Sequence, residues 1–526
     1  MKSRTLLNIL ALSSCFAFAF KKDNALKTAT ITTVTTFQSI SLELPFTGDA
    51  NQNATCDVVF RKKGTREWRK GLRLFNDYLT DKIGFRGSLV LLNPDTEYEI
   101  KLTYHDSDGG SGEKVAFAKT WSEHFAEGKV TKVNDSKSFK VISGTENNYH
   151  VYDGGKSKTL VNANNEPFCV DLEGASYVIL RNLRFTGSDQ HALNIKNANH
   201  IIVENCEIFE WGRPGTFCQK DGKGRRDGAI YVETCSEIVI QNNRIHNPRG
   251  NTCDWRIAHP NGPRGIYLNN IVNHSVFRYN SISGSENHYY DDVITGDTDG
   301  SGDDLDIYGN LISHAWDDGI EIEGPNKNVR VWGNVVKNVF QAIASDNNTK
   351  NMYYGPVYIW RNIFTDLYYY PTPKSSGNGF KLENSLGHGH IYIFNNTLLG
   401  AGNHLKPNGG ISNGPQFNMT LLNNIFDINK DNFHDNKTQD NVIFDYNAYS
   451  GSNKLFTGKE LEKNGLFNQK FTFSQKKEWV FSPVKGSSTI DAGVIIPNFS
   501  DDFKGKAPDM GAIENGVYEM KVGPQN

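Results

Sequence analysis

The sequence predicts an all-β protein in which a small N-terminal β-sandwich, residues 27–123, precedes a right-handed parallel β-helix (a β-solenoid), residues 130–516. Two observations predict the β-helix. A phrase of alternating apolar residues that ends in Asn recurs through the second part of the chain, and another alternating segment precedes most of its copies. Short strands that repeat with a period in the low twenties, without helical periodicity, are typical of a β-solenoid.

The Asn phrase sets the length of one rung. It occurs as Val178-Ile179-Leu180-Arg181-Asn182 and returns 23 residues later at Asn205. The later copies, some of them separated by inserted loops, end at Asn243, Asn280, Asn310, Asn334, Asn362, Asn396, Asn424 and Asn447. Asn tolerates the left-handed backbone conformation and can pair with backbone groups, so we expect these residues to stack and hydrogen-bond along the β-helix. Their predicted role is structural.

The second predicted strand of each rung has apolar residues that point inward and alternate residues that point outward. Outward residues of successive rungs are expected to stack roughly 4.8 Å apart on one exposed face. The equivalent outward positions hold Asn194, Tyr231, Tyr267, Glu321, Ala344 and Lys381.

Acidic residues concentrate on this face. Asp317 and Asp318 precede the strand that carries Glu321 and Glu323, and Asp292 is predicted to lie one rung earlier. Stacked carboxylates repel one another unless a cation neutralises them. Ca²⁺ suits an all-oxygen, carboxylate-rich set better than zinc does. The sequence therefore predicts that these five residues form a Ca²⁺ site.

Two strings on this face resemble motifs of the family 9 polysaccharide lyases, which are calcium-dependent pectate lyases with a parallel β-helix fold. The strings are Trp316-Asp317-Asp318-Gly319-Ile320-Glu321 and Gly377-Asn378-Gly379-Phe380-Lys381-Leu382. The resemblance implies that Lys381 is the catalytic base and that Ca²⁺ is bound by Asp292, Asp317, Asp318 and Glu321. Glu321 stands where the family favours Asp. The predicted rung of Ala344 separates Lys381 from the acids by two rungs, about 10 Å.

The implied reaction is cleavage of a uronate-containing polysaccharide by β-elimination. Ca²⁺ bound to a uronate carboxylate makes the neighbouring C5 proton more acidic, and a lysine with a lowered pKa takes that proton. Arg226 or Arg264 is predicted to hold a second carboxylate in a bidentate manner. Tyr231, Tyr267 and Trp316 are predicted to stack on sugar rings.

Two other functions stay open. A glycoside hydrolase on the same fold would use two carboxylates without a metal, and Asp318 with Glu321, Glu323 or Asp292 could supply them. A carbohydrate-binding or adhesive β-helix would catalyse nothing, because a fold does not fix a function. Metal dependence and an unsaturated product separate the lyase from the hydrolase.

The N-terminal unit carries a more local signature. The string Leu92-Asn93-Pro94-Asp95-Thr96-Glu97-Tyr98-Glu99-Ile100-Lys101-Leu102 resembles a fibronectin type III corner, in which the Tyr98 hydroxyl would pin the turn. The resemblance implies a spacer or binding module, and we assign no catalysis to it.

The first residues predict export. Residues 1–19 have a basic start, an apolar stretch and the small residues Ala17 and Ala19, which are typical of a secretory signal peptide. A lipid anchor at Cys15 is the alternative. In an exported protein the later cysteines could pair or could be buried small hydrophobes, and Cys218–Cys253 is the first candidate disulfide.

Charge and hydropathy limit the partners. The chain has 59 acidic and 56 basic residues and a net charge of −3, which argues against nucleic acid as the main partner. No stretch after the signal is long and apolar enough to span a membrane. The expected partner is an acidic polysaccharide, and the protein is expected to be a monomer.

Overall fold

The structure is a computed structural model that describes residues 23–78, 83–134, 137–221, 226–296, 301–346, 353–367, 377–383, 389–400, 409–412, 416–428, 439–452, 461–477, 479–517 and 519–525. The predicted signal peptide, with Cys15, lies outside the described residues. Within the described ranges no helix has the length and hydropathy needed to cross a membrane.

The N-terminal unit is a sandwich of two antiparallel sheets. One sheet has the order β1-β3-β7-β6 with β2 beside β3, and the other has the order β5-β4-β8-β9. Apolar side chains from both sheets, such as Leu42 and Ile100, fill the space between them. The Tyr98 hydroxyl accepts a hydrogen bond from the Asn93 N–H at 2.9 Å, which is the predicted tyrosine corner. The strands are β1 (Lys27–Thr28), β2 (Thr32–Thr35), β3 (Ile40–Thr47), β4 (Thr55–Lys62), β5 (Arg69–Lys70), β6 (Phe75–Asp77), β7 (Gly84–Leu89), β8 (Glu97–His105) and β9 (Gly112–Lys119).

The rest of the described chain is built on a parallel β-helix, as predicted. Thirty of its described strands pair in one continuous system, while β20 pairs with β23 and β42 with β43. The strands are β10 (Glu127–Lys132), β11 (Phe139–Lys140), β12 (Tyr149–Asp153), β13 (Thr159–Asn162), β14 (Val170–Asp171), β15 (Ser176–Arg181), β16 (Leu183–Thr186), β17 (Leu193–Lys196), β18 (Asn199–Glu204), β19 (Glu207–Phe209), β20 (Gly215–Phe217), β21 (Gly228–Gln241), β22 (Arg244–His246), β23 (Gly250–Thr252), β24 (Arg264–Asn273), β25 (Val276–Arg278), β26 (Ser281–Ser283), β27 (Ile294–Gly296), β28 (Asp306–Tyr308), β29 (Leu311–Ile322), β30 (Val329–Trp332), β31 (Val335–Asp346), β32 (Val357–Trp360), β33 (Ile363–Thr365), β34 (Asn378–Glu383), β35 (Ile391–Phe394), β36 (Thr397–Leu399), β37 (Gly409–Ser412), β38 (Gln416–Leu422), β39 (Ile425–Phe426), β40 (Gln439–Asp445), β41 (Ala448–Tyr449), β42 (Phe473–Lys477) and β43 (Val480–Pro483). A short 3-10 helix, Gln219–Asp221, follows β20.

Each rung contributes to three parallel sheets. The ladder sheet contains the Asn phrases and runs through β12, β15, β18, the second half of β21, β25, β28, β30, β32, β35, β38 and β40. The site sheet runs through β11, β14, β17, the first half of β21, β24, β27, the second halves of β29 and β31, β34 and β37. The third sheet runs through β13, β16, β19, β22, β26, the first halves of β29 and β31, β33, β36, β39 and β41. Inward Val, Ile and Leu side chains from all three sheets pack into one continuous core.

The asparagines of the phrase divide into two neighbouring columns. From Asn243 to Asn447, buried asparagines form a ladder in which each Nδ2 donates to the Oδ1 of the next rung, as between Asn334 and Asn362 at 3.0 Å. Asn182 and Asn205 instead align with the residue before the ladder, where the backbone φ is near +55° and +51°. The left-handed backbone conformation and the stacked side-chain hydrogen bonds were both expected of one Asn column. They belong instead to two adjacent columns.

Removing one member of the ladder is expected to destabilise the β-helix strongly. Asn334 donates to Ile307 O and Asn362 Oδ1, and its own Oδ1 accepts from Asn310. Asn334→Ala leaves buried donors and acceptors unpaired and should lower the free energy of unfolding by about 3 kcal/mol or more. Urea unfolding measures the change. Asn53→Ala, which removes an exposed amide with two hydrogen bonds in the sandwich, is the control and should change it by less than about 1 kcal/mol. Equal effects would contradict a structural ladder.

The ladder ends on a carboxyl group. Glu462 Oε1 accepts from Asn447 Nδ2 at 2.7 Å and from the Tyr449 hydroxyl at 2.6 Å. Burial raises the pKa of Glu462 to about 7, although the hydrogen bonds from Tyr449 and Asn447 oppose this rise. In the unfolded chain the same carboxyl has a pKa near 4.5. At a pH between these two pKa values, Glu462 is protonated in the folded state and ionised in the unfolded state.

Stability should therefore fall as the pH rises from about 4.5 to about 7, by about 3 kcal/mol from this group. Glu462→Gln, which mimics the protonated acid, should remove that part of the pH dependence and make the variant more stable than the parent at pH 8. Unfolding free energies measured at both ends of the range test this. An unchanged difference between the two pH values in the variant would contradict it.

The sandwich is packed against the outward face of the ladder sheet. Phe37 and Val90 of the sandwich share an apolar cluster with Ile179, Ile202 and Val239 of that sheet. The buried Arg330 also reaches across and donates to Ser41 and Ser88 at 2.6 and 3.0 Å. The sandwich thus covers the outward face of the ladder sheet.

The C-terminal segment runs back along the side of the β-helix. Gly511 N–H donates to Asn423 O, Gly523 N–H donates to Gly309 O, and Gln525 N–H donates to Asn242 Oδ1. These partners belong to successively earlier rungs, so the segment ties several rungs together along their edge.

Candidate active site

The site sheet aligns the predicted residues by its strand register. Thr295 pairs with Glu321, Glu321 with Ala344, and Ala344 with Lys381. In the other direction Thr295 pairs with Tyr267, and Tyr267 with Tyr231. The predicted outward column is therefore present.

A cluster of buried carboxylates lies at the centre of this column. Asp292, Asp317 and Asp318 each place an oxygen within 4.8 Å of the others, and Asp318, Glu321 and Glu323 do the same. Asp318 belongs to both groups. All five side chains are buried.

The cluster has more negative charge than its neighbours neutralise. With Asp291 it contains six carboxylates, of which Asp291 and Asp292 pair with Arg264, and Asp318 and Glu323 pair with Lys381. Burial, with the charge of neighbouring carboxylates, raises the pKa of Asp317 and Glu321 well above their ordinary values. Burial also raises the pKa of Asp318 to about 7, against the opposing charge of Lys381. Such a cluster is destabilising unless protons or a cation neutralise it.

The donor set fits a hard cation. All the ligand atoms are carboxylate oxygens, and Asp318 Oδ1 is buried without a hydrogen-bond partner in the described structure. Buried polar atoms are almost always paired, so an unpaired oxygen in an acidic cluster indicates a missing positive group. Oxygen-only ligands favour Ca²⁺ over zinc.

Lys381 reaches this cluster despite the intervening rung. Its Nζ lies 2.9 Å from Asp318 Oδ2 and 3.0 Å from Glu323 Oε1. Ala344 occupies the intermediate position with only a methyl group, so the long lysine side chain can extend over it. The separation expected from the sequence is therefore bridged by the side chain.

The electrostatic state of Lys381 differs from the expectation. Burial alone would lower its pKa, but the carboxylates of Asp318 and Glu323 raise it above the ordinary value. The ammonium form is thus favoured while the carboxylates carry their charge. The lowered pKa that a base requires depends on neutralisation of those carboxylates.

Arg264 lies inside the cluster. It is buried, with Nε 3.2 Å from Asp291 Oδ2 and Nη2 3.0 Å from Asp292 Oδ2. Its guanidinium also lies 4.6 Å from the ring centre of Tyr267. The structure thus places Arg264 as a partner of the acids. Burial raises the pKa of Asp291 to about 7, and the charge of the half-buried Arg226 opposes this rise.

The predicted sugar-stacking residues occupy different environments. The Tyr231 ring stacks on His191 at 4.3 Å, and its hydroxyl donates to Glu233. Tyr267 is half-buried beside Tyr231. Trp316 is only 7% exposed and stacks on Tyr289 at 4.0 Å, so it is not an open platform for a sugar ring.

Sequence reasoning missed three contributors. Asp291 binds Arg264, and Thr295 Oγ1 donates to Glu321. His259, which lies in an insertion far from the repeat, places Nε2 3.9 Å from Asp317 Oδ2. Thr295 could have been found from the register, but the position of an insertion has no periodic signal.

The predicted disulfide Cys218–Cys253 is present and joins the insertions on either side of β21. The other cysteines in the described residues, Cys56, Cys169, Cys206 and Cys235, are buried free thiols. The cysteines are therefore of two kinds: one pair forms a disulfide, and the others are buried free thiols.

Comparison with known proteins supports the architecture. Residues 168–426, which include the acidic cluster and Lys381, match the family model described as a right handed beta helix region. The chain thus contains a right-handed parallel β-helix. A search of curated proteins finds no significant sequence match.

Two solved structures share distant similarity with the chain. Jun a 1, the major allergen of cedar pollen, aligns with 68% of this chain and 85% of its own at 11% identity and a TM-score of 0.29. The catalytic domain of Agl-KA aligns over 79% of each chain at 10% identity and a TM-score of 0.20. Likenesses this low carry no argument about function.

Proposed function

We propose that this protein is a secreted, Ca²⁺-dependent polysaccharide lyase that cleaves a uronate-containing polymer by β-elimination. The observation that carries the proposal is the contact of Lys381 Nζ with Asp318 and Glu323, which puts a single amine against a buried, undercompensated acidic cluster. Perturbed titratable groups gathered in this way are typical of catalytic sites.

The residues that would hold the cation are Asp292, Asp317, Asp318 and Glu321, with Glu323 at the edge beside Lys381. When bound, the cation would polarise the uronate carboxylate and make the C5 proton more acidic. The unpaired Asp318 Oδ1 and the raised pKa values of Asp317 and Glu321 support a site built for positive charge.

Lys381 is the group proposed to take the C5 proton. Its Nζ can leave Asp318 and Glu323 once their charge is engaged elsewhere, and the pKa that these carboxylates raise then falls. The amine receives the proton, the C5 electron pair forms the C4–C5 double bond, and the C4–O4 bond breaks with its electron pair on O4, which takes a proton from water.

Arg264 and Arg226 have distinct proposed roles. Arg264 keeps Asp291 and Asp292 in place through its two ion pairs. The half-buried Arg226 is the better candidate for a second substrate carboxylate, because Arg264 is buried. The half-buried Tyr267 is the better candidate for contact with a sugar ring, since Trp316 is buried.

Ultraviolet absorbance during incubation with pectate, alginate and glucuronan, with Ca²⁺ or with a chelator, tests the proposal. Elimination leaves an unsaturated uronate end that absorbs, so we expect a Ca²⁺-dependent rise on one polymer. New reducing ends without absorbance would indicate the hydrolase, which the raised pKa of Asp318 would suit as a general acid. No cleavage of any polymer would favour a binding protein.

A further inference from the structure

Two insertions in the β-helix form one structural unit. The first precedes β21 and the second precedes β24, and together residues 212–221 and 248–263 are here called the arm. Strands β20 and β23 pair in parallel, and the disulfide Cys218–Cys253 joins the segments that follow them. Two insertions that each lack a core of their own are thereby fixed to each other.

The base of the arm is attached to the β-helix. Arg249 donates to Gly212 O of the arm at 2.7 Å and to Ser188 O of the β-helix at 2.9 Å. Arg213 forms an ion pair with the buried Asp227 at the start of the site sheet. Beyond the disulfide, Gln219 N–H donates to His259 O at 3.1 Å. The disulfide therefore lies between the anchored base of the arm and His259.

The arm carries His259 and Trp255 to the acidic cluster. His259 Nε2 is 3.9 Å from Asp317 Oδ2, and its ring centre is 4.4 Å from that of Trp255. On its other side Trp255 is near Phe340 of β31, at 6.4 Å between ring centres. The Trp255 ring thus lies near both the His259 ring and Phe340.

The exposed imidazole of His259 presents the polar atom of this pair that a substrate can reach. His259 Nδ1 lies 2.6 Å from Pro260 O, so Nδ1 donates to that carbonyl and Nε2 of the neutral ring is left as an acceptor. The Trp255 Nε1–H is buried without a hydrogen-bond partner in the part of the chain that the structure describes. His259 itself is 44% exposed at the side chain, so a substrate can reach it. An exposed acceptor beside the acidic cluster suits a sugar hydroxyl, which can donate a hydrogen bond to it.

We propose that the arm is a substrate-positioning wall of the active site, in which His259 contacts the sugar beside Asp317, Trp255 supports it, and the Cys218–Cys253 disulfide holds both in place. The inference rests on the proposed function and adds to it a redox-sensitive element. Reduction of the disulfide leaves the β-helix intact but releases His259, so substrate is bound less well. Preorganised contacts of this kind contribute to catalysis through orientation, where small displacements have large effects.

The test compares the parent protein, the double variant Cys218→Ser/Cys253→Ser, His259→Ala, and the triple variant that combines them. Each of the first two changes should lower kcat/KM about tenfold. The triple variant should lose no more than either, because the disulfide acts through His259. His259→Gln, which keeps an acceptor in reach, should recover part of the loss. Losses that multiply in the triple variant would overturn the proposal.

Reductant on the folded parent protein provides a second, independent measurement that needs no variant to fold. The reduced parent should behave like the double variant, and the same reductant should leave the double variant unchanged, which controls for effects on the buried thiols. Loss of the disulfide is verified by thiol counting. If kcat/KM is then unchanged in the reduced parent, the proposed role of the arm is wrong, while the lyase proposal stands.

If the parent produces no unsaturated ends, the proposed function fails and the arm is tested by binding. Affinity electrophoresis in gels that contain pectate, alginate or glucuronan then replaces kinetics. Binding that weakens about tenfold on reduction supports the arm, and binding that is absent or unaffected by reduction contradicts it.

Discussion

We expect Lys381→Ala to lower the rate of polymer cleavage about a thousandfold. General-base catalysis typically contributes 10²–10⁴-fold, and Lys381 is the amine in contact with the acidic cluster among the described residues. The measurement is the initial rate of absorbance increase at saturating Ca²⁺. Removal of the amine takes away the proposed base, while the carboxylates of the cluster are retained.

Lys140→Ala is the matched control. Lys140 also lies in the outward column of the site sheet and is also paired with a carboxylate, Asp171, at 2.8 Å, but it lies several rungs from the cluster. Its removal should leave the rate within about twofold. A Lys381→Ala variant that keeps a third or more of the parent rate would exclude Lys381 as the base.

The second large effect concerns Glu321→Gln, which we expect to be more stable than the parent in chelator and less stable than the parent in Ca²⁺. Burial and the neighbouring carboxylates raise the pKa of Glu321, so its charged form destabilises the fold at neutral pH. In chelator at pH 8 the neutral variant should therefore unfold at a higher temperature than the parent. The Thr295 hydroxyl can still donate to the amide oxygen of Gln.

With Ca²⁺ the parent should unfold at a higher temperature than Glu321→Gln. A ligand present at a hundred times its dissociation constant stabilises the folded state by about 2.7 kcal/mol, and the variant lacks one of the carboxylates that provide this. Thermal unfolding with Ca²⁺ and with chelator measures both effects. Asp171→Asn, the carboxylate control on the same sheet, should leave the response to Ca²⁺ unchanged. A parent protein that does not respond to Ca²⁺ would contradict a cation site in the cluster.

The sequence predicts the architecture well because the fold is repetitive. Alternation of apolar residues fixes which side chains face the core, and equal rungs then align Tyr231, Tyr267, Glu321 and Lys381 in one column. The Asn phrase was less determinate. Asn182 and Asn243 look equivalent in the sequence, but a difference of one residue in register puts the first at a left-handed turn and the second in the buried ladder.

Features that depend on side-chain length or on insertions could not be predicted. Rung counting put Lys381 about two rungs from the acids, and only its extended side chain over Ala344 brings it into contact. The burial of Trp316 depends on Tyr289, which precedes the acids in a loop. His259 reaches Asp317 because a disulfide joins two insertions, and the repeat contains no information about their path.

The electrostatics show the same limit. The acidic cluster was predicted from the sequence, but Lys381 was expected to have a lowered pKa. The carboxylates of Asp318 and Glu323 raise the pKa of Lys381 instead. The proton affinity of Lys381 is set by whether the charge of Asp318 and Glu323 is neutralised, which a list of residues does not reveal. The site is therefore a coupled set of charges in which cation binding and the availability of the base are linked.

The most direct test of the proposed elimination is mass spectrometry of the products formed in water labelled with heavy oxygen, on the polymer that the protein cleaves. Elimination adds no water across the broken bond, so we expect an unsaturated product that carries no label beyond the exchange of reducing-end oxygens seen in unlabelled product incubated without the protein. Incorporation of one labelled oxygen at each cleavage would contradict it, because that result requires hydrolysis, and the buried carboxylates would then have to act as the acid and base themselves.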